Sequence, residues 1–148
     1  MVITPESTSG WNRILNVNHG ADHGLYINGG TQIYPDGQGG ADNYPAGEWS
    51  SLTVVTDTGG NAYTYYNGEL QGSWQPVNNW ATSMQITSDE MLFFNDYDQE
   101  QCNSGGEHTN FLLKSIQIFD TVLTNDQVAA LEDEYPVPTA GEAGACGA

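Results

Sequence analysis

Between residues 95 and 107 the chain sets Asn95, Asp96, Asp98 and Glu100 at close intervals, followed by Gly105, Gly106 and Glu107. Carboxylates at alternate positions, next to an amide and backbone carbonyls, suit a hard cation such as Ca²⁺, which collects six to eight oxygens. The two glycines would let the backbone curl round an ion. Asp22, in an earlier turn, is a natural further ligand, so the candidate metal set is Asp22, Asp96, Asp98 and Glu100. The spacing is not that of a helix–loop–helix Ca²⁺ loop, whose glycine and terminal glutamate would fall elsewhere. A solvated acidic turn, in a chain that is acidic throughout, remains the alternative.

Aromatic residues supply a second chemistry. Sugar rings present apolar C–H faces that stack on rigid aromatic planes. Trp74, Trp80, Tyr44 and Tyr97 fall in or beside loops and are the candidate glycan contacts, with burial at one end of the fold as the alternative for Trp74 and Trp80. Trp11 and Trp49 open strands and are expected in the core. Tyr97 stands between Asp96 and Asp98, so an ion there would position a loop on which Tyr97 faces a ligand. Other reactive arrangements are poorer. No G-x-S-x-G elbow occurs, and His19, His23 and His108 lack metal-ligand spacing. Cys102 and Cys146 show no paired spacing for zinc; they are candidates for one disulfide in an oxidising compartment, or two free thiols.

The elements that would carry these residues read as strands. With 148 residues and 16.0 kDa there is room for one domain around one core. Residues 11–17 and 23–29 read as strands, the second with Leu25 and Ile27 on one face. Residues 51–57 read as a strand with Leu52 and Val54 on one face and Thr53 and Val55 on the other. Residues 61–66 carry Tyr63 and Tyr65 on one face and run into Asn67-Gly68, the strongest short hairpin signal. Residues 69–74 return. Residues 83–95 make two short strands or one bent one, and residues 110–120 read as a single long strand. Thr124 then caps one short helix, Gln127 completes a capping box, Val128 and Leu131 share a face, and Pro136 and Pro138 end it. The expected architecture is an all-β, two-sheet antiparallel jelly-roll sandwich over residues 1–135, with a flexible Pro/Gly/Ala tail over 136–148.

In this order the segments resemble laminin G-like domains of the concanavalin A-like lectin/glucanase superfamily. GEWSSLTVVTDTGGNAYTYYNGEL is similar to their Trp-led strand, hairpin and strand ending in YxNG. FLLKSIQIFDTVLTNDQVAALE resembles their closing strand and helix, MLFFNDYDQE their LFxDxDxE segment, and WNRILNVN with DHGLYINGG their early strands. The resemblance covers residues 11–134, and the usual opening strands look reduced to VITPE. It implies a non-catalytic module of a secreted or surface protein that binds glycans or proteins, with Ca²⁺ at a rim shared by the acidic loop and the Asp22 turn. A glucanase-like alternative rests on DYDQE, one residue type from the E-x-D-x-E catalytic strand of retaining β-glucanases on the related fold. Asp96 and Glu100 would be the carboxylate pair, which a retaining mechanism needs about 5–5.5 Å apart. The Asn and Gly around them read as loop, against that reading.

Charge narrows the partners. Nineteen acidic residues stand against two basic ones, Arg13 and Lys114, for a net charge of −17. Such a surface repels nucleic acid and anionic membranes, so neither is an expected partner. High-salt adaptation, Ca²⁺ binding or a solvated secreted surface could each underlie the excess. No run approaches the roughly 20 apolar residues of a membrane span. The residues after Met1 lack the basic and apolar regions of a secretion signal, so Met1 reads as the start of a fragment as readily as of a native chain. The small-residue tail suggests one module of a larger chain, whose partner would be a polysaccharide, a cell-surface glycan or a surface protein.

Overall fold

The computed structural model describes residues 1–16, 24–34, 44–59, 61–74, 92–94 and 110–138, without the side chains of 32–34, 74 and 92. Among these residues nine strands are laid down in chain order. They are β1 (Val2–Pro5), β2 (Asn12–Asn16), β3 (Gly24–Asn28), β4 (Gly30–Tyr34), β5 (Ser50–Thr56), β6 (Ala62–Tyr66), β7 (Glu69–Trp74), β8 (Leu92–Phe93) and β9 (Phe111–Ser115). They form a five-stranded sheet, β7-β6-β5-β1-β9, and a four-stranded sheet, β4-β3-β2-β8. Every pairing is antiparallel. One helix among the described residues, α1 (Asn125–Glu134), follows the last strand. It is neither long nor apolar enough to cross a membrane.

The period-two pattern decides which side chains meet between the sheets. Leu52 and Val54 of β5 point inward with Ile3, Ala62 and Tyr66, against Ile14, Leu25 and Ile27 of the other sheet. Three hydroxyls meet across this layer: the Thr31 hydroxyl lies 3.4 Å from Thr64 Oγ1 and 3.3 Å from the Tyr66 hydroxyl. The alternate residues of β5 and β6 face outward into a second cluster, where Val55 and Tyr65 meet Val128 of α1.

Helix α1 covers that outer face for local reasons visible in its sequence. The Thr124 side chain accepts from the Gln127 amide and the Gln127 side chain accepts from the Thr124 amide, so the capping box closes in both directions. The Tyr65 hydroxyl donates to Asn125 Oδ1 at 2.7 Å, and the Ser51 hydroxyl donates to Glu132. The β6–β7 hairpin turns on Asn67 and Gly68, with φ of 48° and 76°. Two successive positive φ values are what a two-residue hairpin of matching twist demands. A Cβ on Gly68 would also lie 2.9 Å from Glu132 Cγ, so the turn and α1 are closely apposed.

Two sequence expectations change, and a third is met only in part. The long strand expected over residues 110–120 ends at Ser115, because the strand it pairs with runs out there: Val2 is the partner of Ser115. Leu92–Phe93 is a strand, and the rest of the strand expectation over 83–95, apart from Phe94, lies outside the described residues. The opening segment, expected to be vestigial, is instead a central strand with all four residues buried.

Candidate functional site

The surface best furnished for a ligand lies on the outer face of the four-stranded sheet. The Asn12 side-chain amide donates to the carbonyls of Ser9, Gly10 and Ile27 at 3.0–3.1 Å, which fixes the entry into β2. Gly10, at φ 78°, takes a conformation that suits glycine. Trp11 follows at once and is 41% exposed. Its ring meets Tyr26 edge-on, with centroids 5.4 Å apart and planes at 85°. Tyr26 pairs in register with Arg13, whose guanidinium sits 4.6 Å from the Tyr26 ring centroid. Arg13 is only 1% exposed. A cation over the negative face of an aromatic ring is attracted to it, more strongly where water is excluded. The result is an ordered group of two aromatic rings and one buried cation, with Trp11 outermost.

Trp11 was expected in the core, and the structure corrects this. Ile14 belongs to the inter-sheet core. A shift of register between Arg13 and Leu15 accompanies a local bulge. Trp11 and Arg13, two residues apart, share the face turned away from that core. This was legible in the alternation around Ile14, though not from composition. The burial of Arg13 had no such signal. Trp49 is partly buried.

The candidate glycan contacts are distributed as follows. Tyr44 is 2% exposed and packs edge-on against Tyr66 at 4.7 Å, its hydroxyl 3.4 Å from the Ser50 carbonyl. Burial pushes its hydroxyl pKa well above the usual tyrosine value. Its faces are spent on packing, and it is a core residue rather than a ligand contact. Trp74 closes β7, and its side chain lies outside the described set. Trp80, Tyr97, the metal candidates Asp22, Asp96, Asp98 and Glu100, and the disulfide candidates Cys102 and Cys146 also lie outside the described residues.

The described strands still constrain how the chain approaches the acidic segment. Leu92 pairs with Asn16 and Phe93 with Leu15, and the Phe94 amide donates to the Ile14 carbonyl at 3.0 Å. The chain therefore leaves β8 travelling toward the Asn12 end of β2. That is the end where Trp11 stands, whereas the turn bearing Asp22 joins the opposite end, between Asn16 and Gly24.

Among the described residues no three His, Cys, Asp or Glu side chains converge as a metal site would need. Asp57 is the best-furnished carboxylate, and its oxygens already serve a turn. It accepts from the amides of Gly59 and Asn61 at 2.8 and 2.9 Å, from the Asn61 side chain at 2.7 Å and from the Tyr63 hydroxyl at 3.4 Å. These bonds, the Asn61 side chain first, hold its pKa below the ordinary aspartate value.

Comparison with curated proteins and with solved structures gives no match. A family model does match, and it spans residues 1–129, from before the segments on which the sequence resemblance rests. With two antiparallel sheets, an inter-sheet core and a capped closing helix in place, the chain belongs to the laminin G-like domains of the concanavalin A-like lectin/glucanases superfamily.

Proposed function

We propose that this domain is a non-catalytic, carbohydrate-binding module of a secreted or cell-surface protein, with Trp11 as its principal stacking residue. The observation that carries the reading is the ordered Trp11–Tyr26–Arg13 group, in which a large aromatic is left 41% exposed by a turn built to hold it. An aromatic plane fixed in advance loses little freedom when a sugar ring stacks on it, which favours affinity. Ca²⁺ held by Asp22, Asp96, Asp98 and Glu100 would order the acidic loop and turn Tyr97 toward the same ligand.

The test is binding of the purified chain to an array of polysaccharides and cell-surface glycans, followed by calorimetry on any positive. Trp11→Ala is expected to weaken binding at least tenfold, about 1.4 kcal/mol, while Trp11→Phe keeps most of it and far-ultraviolet circular dichroism is unchanged. EDTA is expected to weaken binding without unfolding the domain. Binding that ignores both Trp11→Ala and EDTA overturns the assignment. An array without a positive would turn attention to a protein-adhesion role for the same module. Release of reducing sugar from a β-glucan, abolished by Asp96→Asn or Glu100→Gln, would make it an enzyme.

A further inference from the structure

Charge divides glycans into classes, and both basic residues of this chain are engaged in ways that bear on the Trp11 face. Polysaccharides of uronic acids or sulfated sugars carry a carboxylate or sulfate on successive rings. Proteins hold such groups with Lys or, bidentately, with Arg. This chain has two such residues in 148, Arg13 and Lys114, against 19 acidic ones. Arg13 stands two positions from Trp11, but its guanidinium sits 4.6 Å from the Tyr26 ring centroid and the residue is 1% exposed. Its charge is therefore turned to the ring and away from solvent. Lys114 belongs to β9 of the other sheet, where its ammonium donates to the Pro136 carbonyl at 2.6 Å. An acidic sugar stacked on Trp11 would meet no exposed arginine, and the lysine is engaged elsewhere.

The turn that delivers Trp11 is uncharged. It runs through Ser7, Thr8, Ser9 and Gly10, of which Ser9 and Gly10 are exposed. Ser7 Oγ and Ser9 Oγ lie 2.9 Å apart, and the Ser9 amide donates to Ser7 Oγ at 3.2 Å. The Asn12 side chain fixes the same turn through the Ser9 and Gly10 carbonyls. Hydroxyls both donate and accept, as the hydroxyls of a sugar do. They do not offset the cost of bringing a carboxylate out of water, which takes a paired charge. Glu6, just before this turn, accepts from the Asn110 side chain at 2.6 Å and is itself acidic. The net charge of −17 acts in the same direction. It repels a polyanion at every ring, over about 8 Å at 0.15 M ionic strength and about 30 Å at 0.01 M.

We propose that the Trp11 face takes uncharged glycans, polymers of neutral sugars, and rejects those bearing uronate or sulfate. This rests on the carbohydrate reading above and adds the ligand class to it. Selection is by exclusion: stacking on Trp11 is open to any ring with an apolar C–H face, and charge removes the acidic members.

The experiment measures binding of the full chain to matched pairs of oligosaccharides at about pH 8, where histidines are neutral. The probes are glucan, galactan and mannan fragments, each beside its counterpart oxidised to the uronate at C6. The two members of a pair share linkage and stacking face and differ at C6 alone. In about 0.01 M salt, with CaCl₂ and again with EDTA, at least one neutral fragment should bind and its uronate partner should be at least tenfold weaker. In about 1 M NaCl, where repulsion reaches only about 3 Å, that gap should narrow at least threefold while the neutral affinity stays within twofold. Ser9→Lys, which sets a cation on the exposed turn, should tighten the uronate at least threefold and leave the neutral fragment within twofold. A uronate bound as tightly as its neutral partner at low salt, in CaCl₂ or EDTA, overturns the ligand class, and so does a gap that neither salt nor Ser9→Lys moves. In both cases the carbohydrate reading stands if Trp11→Ala weakens the binding. Binding that Trp11→Ala leaves intact, or no binding of any fragment, overturns the carbohydrate reading of this face and the ligand class with it.

Discussion

Asp57 illustrates how one carboxylate can organise a reversal of the chain. Its two oxygens gather two backbone amides, one side-chain amide and one hydroxyl between the end of β5 and the start of β6. All four donors favour the ionised form, so its folded pKa falls below the ordinary 3.8. The unfolded chain then binds a proton more readily than the folded one. The stability Asp57 contributes is fully present above the ordinary value and is lost as pH falls through the folded value. The thermal midpoints of the wild type and Asp57→Ala should therefore differ by a constant amount at pH 5 and above, and converge as pH drops below 3.8. Circular dichroism melts across that range would check this, and a gap that widens on acidification would contradict it. At the same scale, Trp11 and Tyr44 exchange expectations for one reason. Exposure of an aromatic is decided by the face its strand or turn presents, and residue type alone does not carry that information.

Among the elements, those fixed by near neighbours were the most legible. The Thr124–Gln127 capping box and the Asn67-Gly68 turn are formed by residues within four positions of each other, so their chemistry is written contiguously. The paired faces of β5 and β6 were legible too, because alternation alone assigns them. β9 was not: its pattern continues to residue 120, but a strand persists only alongside a partner, and its partner β1 lies at the far end of the sequence, Val2 opposite Ser115. The burial of Tyr44 was hidden for a similar reason, since its amide is held by the distant Gly29 carbonyl at 2.8 Å. The candidate Ca²⁺ ligands could be named from spacing, yet their convergence depends on how long loops close, which local pattern does not encode. The capping box gives a clean test of the helix. Thr124→Ala should cost about 1 kcal/mol in urea unfolding, and Thr124→Ser much less. Because α1 is also anchored by Val128 and by bonds to Tyr65 and Ser51, native circular dichroism should be unchanged. A loss of helix signal in Thr124→Ala would mean that the cap, not the packing, holds α1.

For the whole molecule the governing quantity is a net charge of −17 on 148 residues. Like charges crowded on one compact surface repel, and the unfolded chain relieves that repulsion by separating them. Added salt shortens the range of the repulsion, to about 8 Å at 0.15 M, so Na⁺ alone should raise the thermal midpoint. Ca²⁺ would act in a second and distinguishable way if Asp96, Asp98 and Glu100 bind it. A ligand specific to the folded state adds RT ln(1 + [L]/Kd), about 2.7 kcal/mol at a hundredfold excess over Kd, whereas screening depends only on ionic strength. Melts of EDTA-treated protein should therefore be run in NaCl and CaCl₂ at matched ionic strength. The expected result is a rise with NaCl and a further rise of several degrees with CaCl₂. Asp96→Ala with Asp98→Ala should abolish the second increment while keeping the first. Equal midpoints in the two salts would assign the acidity to solvation alone, and glycan binding would then rest on the Trp11 face without a metal.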